Sequence, residues 1–269
     1  MNCIILLYNI VLILNIVKGN ILFHKRTYRI GISRIFFGGI AMGYYIDLSN
    51  VSLNAFKNKL KSSRLLPSQM ILLNDIDRKF ETFEAHGIRN MYELQQVLKN
   101  KDKINVFSKL TSLPVDYLTV LRREVNSYHP QARKLKDFTF LSSKTKKMLE
   151  EMGIKTTLQL YDKVASKTDR NNLKNEWGVD DRELLILAKL CDVSRLRYVN
   201  PAFATLLVNS NYDTVEKIKN ADFNEVYEDL ILVNGNKKFY KGRINLKDME
   251  FLINDINHFQ FTVSLDVEY

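Results

Sequence analysis

A chain of 269 residues, 46% of them hydrophobic, has material for a sizeable core and for one or two domains. Ten glycines and four prolines exclude collagen-like, disordered and Gly/Pro-rich β architectures, and two cysteines, Cys3 and Cys191, exclude a disulfide scaffold or a cysteine-built zinc site. The net charge of +10 points towards polyanionic partners but is uneven, at +5 in residues 1–41, +6 in 42–140, +3 in 141–200 and −4 in 201–269.

The first segment stands apart from the rest. Residues 3–17 are mostly Ile, Leu and Val, interrupted by Asn9 and Asn15. At about 1.5 Å per helical residue this run falls short of a hydrocarbon core roughly 30 Å thick. No basic residue precedes Lys18, as a secretory signal would require. We expect residues 1–41 to be an upstream extension outside the folded domain, with Met42 as the natural start. A weak anchor or signal and an ordered helix are the alternatives, and membrane association depends on the anchor.

From Met42 the pattern becomes orderly. Tyr44, Ile46 and Leu48 alternate with Tyr45, Asp47 and Ser49, and Phe261, Val263, Leu265, Val267 and Tyr269 alternate with Thr262, Ser264, Asp266 and Glu268. These runs predict strands over about 42–48 and 261–269, paired as a small β-ribbon that closes a helical domain.

The middle of the chain carries a repeat. Phe83-Glu84-Ala85-His86-Gly87-Ile88-Arg89-Asn90 is echoed by 149–156 and by 207–214. Gly87, Gly153 and Asn211 sit where a helix ends and φ is expected to turn positive. Ile88, Ile154 and Tyr212 then fold back as the hydrophobic partner of the cap, and Asn90, Thr156 and Thr214 N-cap the next helix. The copies predict repeat units of about 72–130, 138–192 and 193–258.

A second element recurs at Ser112-Leu113-Pro114, Phe140-Leu141-Ser142, Gly178-Val179-Asp180 and Tyr198-Val199-Asn200. Each reads as a tight turn with a central apolar residue between two helices. These turns resemble degenerate helix-hairpin-helix elements. Together with GIKTTLQLYDKV (153–164) and DVSRLRYVNPAFATLLVNSNYDTVEKI (192–218), they are similar to a bacterial tandem helix-hairpin-helix family catalogued only as a domain of unknown function. MGYYIDL (42–48) and VSLDVEY (263–269) resemble the ends of such proteins. The resemblance covers about 42–269, implies a tandem helix-hairpin-helix fold and a link to nucleic acid, and brings no catalytic residues.

Helix-hairpin-helix proteins hold DNA through a Gly-apolar-Gly turn whose amides approach a phosphate, with the next helix's N-terminus adding partial positive charge. Here the eight glycine positions of the four turns hold one glycine, Gly178; Pro114 lacks an amide donor and Asp180 repels phosphate. The 140–142 turn keeps the most of this chemistry, because Ser142 and Ser143 offer donors and Lys144, Lys146 and Lys147 follow. The most basic stretch runs from Arg122 to Lys147, with Arg122, Arg123, Arg133, Lys134, Lys136, Lys144, Lys146 and Lys147 against only Glu124 and Asp137. Such a patch can neutralise several phosphates without reading bases. A solvated surface is the competing reading.

The other chemistry-bearing residues are isolated. His86, His129 and His258 lack metal-ligand spacing, and Cys191 reads as a small buried hydrophobe. Trp177 is a core anchor or a stacking platform. Glu150 with Glu151 and Asp180 with Asp181 are sequence neighbours that do not share a helix face. No Walker loop, dinucleotide glycine motif, nucleophile elbow or HExxH is present. The expectation is therefore a mainly α, non-enzymatic, cytoplasmic protein without cofactor, metal or small-molecule substrate. It would bind DNA without sequence preference through Arg122, Arg123, Arg133, Lys134, Ser142, Ser143, Lys144, Lys146 and Lys147. The alternative is a protein-interaction scaffold whose hairpins have lost their phosphate sites.

Overall fold

The computed structural model describes residues 43–259 and 265–266, so the expectations for residues 1–41 lie outside it. Among the described residues the chain is mainly helical, with no strand, and no helix is long and apolar enough to cross a membrane.

The helices surround two hydrophobic cores. The first core draws on residues 46–128 together with Phe259. It contains α1 (Leu53–Ser62), α2 (Ile76–Ala85), α3 (Met91–Val97), α4 (Lys101–Thr111) and α5 (Val115–Ser127), with a 3₁₀ segment at Pro67–Leu73. Helix α5 is its centre and packs on α3, α4 and the 3₁₀ segment, burying Tyr117, Leu118, Leu121 and Val125.

The second core draws on Tyr44 and residues 135–265. It contains α6 (Ser143–Glu151), α7 (Thr157–Val164), α8 (Lys167–Trp177), α9 (Asp181–Ser194), α10 (Pro201–Val208), α11 (Val215–Lys219), α12 (Phe223–Lys237) and α13 (Leu246–His258). Helix α9 is central, packing on α7, α8 and α10. Its apolar run buries Leu184, Leu187, Ala188, Leu190 and Cys191, and burial pushes the Cys191 thiol pKa well up. The repeat units anticipated at about 138–192 and 193–258 thus share one core.

The repeat's chemistry is visible at two of its three copies. Gly87 and Gly153 have φ of +79° and +73° after α2 and α6. The amides of Ile88 and Ile154 donate to the carbonyls of Phe83 and Leu149, five residues back, as a Schellman cap requires. Both isoleucines are buried. Asn90 and Thr156 then cap α3 and α7 by accepting from the amides of Glu93 and Gln159. A short antiparallel bridge follows each cap. Met91 N–H donates to the Val51 carbonyl and Leu53 N–H to the Arg89 carbonyl; Thr157 and Leu135 do the same with Arg133 and Lys155, at 2.9–3.0 Å throughout.

The third copy departs from this pattern. Asn211 is not among the residues of positive φ, and Tyr212 is only half-buried. The physical reason is an acidic neighbour: Asp229 of α12 accepts both the backbone and the side-chain N–H of Asn211, at 2.9 Å each. The Asp192 carboxylate replaces the backbone carbonyl of the other copies and accepts the Val215 amide at 2.7 Å. Thr214 still N-caps α11, as expected.

The expected β-ribbon is not found among the described residues. Burial does alternate along 44–48, but the segment runs from a turn at Gly43–Tyr44 through one isolated bridge residue, Tyr45, and serves as a tether between the cores. The Tyr44 hydroxyl hydrogen-bonds Thr157 Oγ1 at 2.7 Å, Tyr45 donates to the Pro130 carbonyl, and the Ile46 carbonyl meets His129 Nε2 at 2.8 Å. Asp47 then caps a 3₁₀ turn at Leu48–Asn50. Of the C-terminal run only Leu265 and Asp266 are described, and Asp266 docks at the α7–α8 junction, where its amide donates to the Ala165 carbonyl.

Buried charge joins the two cores. Arg197 follows α9 and donates through Nη2 to Glu124 of α5 at 2.8 Å and through Nη1 to Asp255 of α13 at 2.6 Å. Its guanidinium lies 3.9 Å from the centroid of the Tyr128 ring. Lys59 of α1 reaches Asp255 at 3.3 Å, and Gln69 donates to the second Glu124 oxygen at 2.9 Å. Burial works to lower the Arg197 pKa, but Tyr128, Asp255 and Glu124 more than reverse this, so the group stays charged. A second buried pair, Arg195 with Asp192 at 2.5 Å, ties α9 to the tether through the Gly43 carbonyl.

Two outcomes follow for stability. Arg197→Met leaves two carboxylates buried without their guanidinium and should cost about 3–5 kcal/mol in urea unfolding; a loss below about 1 kcal/mol would contradict the network's role. Gly153→Ala should cost about 1 kcal/mol through its left-handed backbone alone, since no atom lies within 4 Å of the added Cβ. Gly235→Ala within α12, equally unobstructed and without positive φ, should instead raise stability by about 0.4–1 kcal/mol on the same assay.

Candidate functional site

Three of the four anticipated turns share one geometry. Ser112, Gly178 and Tyr198 have φ of +58°, +63° and +63°, and the next residues, Leu113, Val179 and Val199, are buried. Pro114, Asp180 and Asn200 then stand at the N-caps of α5, α9 and α10. The fourth turn differs, because Phe140 is not among the residues of positive φ. It still buries Leu141 and ends on Ser142 as the N-cap of α6. The N-cap side chains of Asp180, Asn200 and Ser142 accept from amides of their own helices, those of Arg182, Phe203 and Thr145. These turns satisfy their own helix starts.

The basic stretch is distributed over three places. Arg122 and Arg123 lie on α5 of the first core, with Arg123 exposed and Arg122 half-buried. Arg133 and Lys134 lie in the link between the cores. There the Arg133 amide donates to Thr157 Oγ1 at 3.0 Å, and Lys134 stands opposite Thr156 in the bridge, its side chain exposed. Ser142, Ser143, Lys144, Lys146 and Lys147 come together on the first turns of α6, in the second core. All of these are exposed except Lys146, which is half-buried. Buried Thr145 anchors that helix end by donating to the Glu183 carboxylate of α9.

The charge of this stretch is mostly uncommitted. Of the seven candidate basic side chains, only Lys147 forms an ion pair among the described residues, with Glu151 at 3.8 Å on an exposed helix face. Such an exposed i,i+4 pair is worth only about 0.3–0.5 kcal/mol. The Nε–H groups of Arg122 and Arg133 are buried without a hydrogen-bond partner.

A cleft of about 820 Å³ lies where the two cores meet at Arg197. The first core contributes the 63–69 segment and Glu124; the second contributes Arg197–Val199, Phe203 and the 240–252 segment. Two aromatic pairs line it, Tyr198 with Phe251 at 5.8 Å and Phe203 with Tyr240 at 5.3 Å between ring centroids. The sequence patterns did not reveal this site. Arg197 carried a hint, being a cation within the mostly apolar run Leu190–Val199, but its acidic partners, Glu124 and Asp255, lie far away along the chain, whereas Arg195 pairs with Asp192 three residues before it.

The remaining isolated residues take structural places. His129 is hydrogen-bonded to the tether and its ring packs 4.8 Å from Tyr45; burial holds its pKa below the ordinary histidine value. Trp177 packs, partly buried, against the second core. Among the described residues no His, Cys, Asp and Glu side chains are grouped as a metal site requires.

Comparison with known proteins adds one family. No curated protein and no solved structure matches the chain. Residues 140–256 match a family model described as "Domain of unknown function (DUF4332)", a range running from the turn before α6 almost to the end of α13 and leaving out the first core.

Proposed function

We propose that the chain is a non-enzymatic nucleic-acid-binding or accessory protein that contacts phosphates of DNA through side chains, without reading sequence. One observation carries this reading: among the described residues, six of the seven candidate basic side chains between Arg122 and Lys147 have no ion-pair partner, and Lys144 and Lys147 stand exposed together at the start of α6. Lys144 and Lys147, three residues apart on α6, share an exposed face beside the Ser142 cap. Cations in the first turn of a helix oppose its dipole, and a bound phosphate relieves that conflict.

The turns support the reading in part. In three of the four, a left-handed first residue, buried apolar centre and N-capping third residue resemble the backbone plan of a degenerate helix-hairpin-helix, and the 140–142 turn keeps the last two of these. Of their eight glycine positions, however, one holds glycine, Pro114 lacks its amide, and the caps occupy the first amides of the following helices, those of Arg182, Phe203 and Thr145. Phosphate contact therefore rests on Lys and Arg side chains, a purely electrostatic mode that weakens with salt.

A scaffold for protein partners is the second reading. It is favoured by Val106 and Leu110, four residues apart on α4 and 67% and 66% exposed, which form an apolar strip without a cover among the described residues.

The discriminating experiment titrates duplex DNA binding by the full chain from about 50 to 200 mM salt, alongside the K144A/K146A/K147A variant. Phosphate contact predicts binding that falls steeply with salt, and a weaker variant whose log–log slope is shallower by about 1 for each phosphate that its side chains no longer neutralise. Absence of binding at the lowest salt removes the nucleic-acid reading and leaves the scaffold.

A further inference from the structure

The cleft between the cores is constructed more carefully than a gap left by imperfect packing. Tyr240 is fixed twice over. Its backbone N–H donates to the Asn234 side-chain oxygen and its carbonyl accepts from the Asn234 amide, both at 2.9 Å. Its ring packs on Phe203 and lies so close to Gly242 that a Cβ there would meet ring atoms at 2.4 Å. A side chain at 242 would displace the Tyr240 ring.

The opposite aromatic wall is equally constrained. Tyr198 holds a left-handed backbone that glycine would adopt without strain, yet the position carries a large ring that is 59% exposed. Its hydroxyl accepts from Arg197 Nη2 at 3.0 Å, and its ring packs on Phe251. Two rigid aromatic pairs thus flank a cleft whose volume falls within the range of small-molecule sites.

Charge selects the kind of molecule that fits. Arg64 from the first core and Arg243 and Lys247 from the second line the cleft, are exposed, and make no ion pair among the described residues. The acidic lining is committed: Glu124 is held by Arg197 and Gln69, and Asp248 accepts from Asn245 at 2.9 Å. Four cations and two carboxylates line the site, leaving it at +2. At the base, buried Arg197 keeps an Nε–H with no hydrogen-bond partner.

From this geometry we infer that the cleft at the junction of the two cores is a binding site for a small organic anion carrying a flat aromatic ring. The ring lies against Tyr198, Phe203, Tyr240 or Phe251, as offset or edge-to-face aromatic packing favours. The anionic group meets Arg64, Arg243 and Lys247 at the rim. The site is separate from the α6 lysines, so it stands or falls independently of DNA binding.

The test uses the full chain and the fluorescent aromatic sulfonate 8-anilinonaphthalene-1-sulfonate as probe. One saturable site per chain is expected. R243E/K247E, exposed positions whose change leaves the helical circular dichroism intact, should weaken it at least tenfold. Tyr240→Leu, which keeps an apolar wall but removes the ring, should weaken it about three- to tenfold. Binding that never saturates at one site per chain overturns the inference, and so does an affinity unchanged by either variant.

Discussion

A guanidinium enclosed between two carboxylates is the constraint on which this structure depends. Arg197 takes Glu124 from the helix at the centre of the first core and Asp255 from the last helix of the second, over a Tyr128 ring that belongs to the first. A buried pair of this kind adds little net stability over an apolar substitute, because desolvation offsets most of the attraction. Its consequence is registry: charges placed this deep are satisfied in one arrangement of the two cores only. Phe259 follows the same logic by apolar means, since it leaves the second core's last helix to pack on Tyr128 at 5.3 Å.

The two cores are built by the same local device. A helix ends at a glycine of positive φ, an isoleucine folds back, a polar residue caps the next helix, and two backbone hydrogen bonds pin that cap to a distant segment. In the third copy Asp192 supplies the acceptor with its side chain and must then be neutralised by Arg195. That substitution brings one buried ion pair into the second core. The family match to residues 140–256 covers this copy and Arg197 but not the Glu124 side of the junction. The cleft opens on that junction.

Local chemistry was legible in the sequence where one residue type suffices to specify it. Gly87, Gly153 and Gly178 announce positive φ, and Asn90, Thr156, Ser142 and Asn200 announce helix starts. Ser112 and Tyr198 adopt the same left-handed backbone without glycine, so only their place in the repeated turn betrays them. The alternation at 44–48, which predicts a strand, instead marks burial on two cores. Tyr44 serves the second core while Ile46 and Leu48 serve the first, and that division is invisible to periodicity. The basic stretch was legible as charge, but its spread over both cores and the link was not. The cleft left only the hint of Arg197 within an apolar run, because Glu124 and Asp255 lie 73 and 58 residues from the arginine that joins them.

Arg197 and its partners are expected to make the two cores one cooperative body. Trp177 is the only tryptophan and packs on the second core, whereas far-ultraviolet circular dichroism reports the helices of both. Urea unfolding of the full chain followed by both signals distinguishes one cooperative body from two. One body predicts coincident transitions with a single midpoint. Tryptophan and helix signals that part at distinct midpoints would show two cores unfolding separately, and would contradict the account.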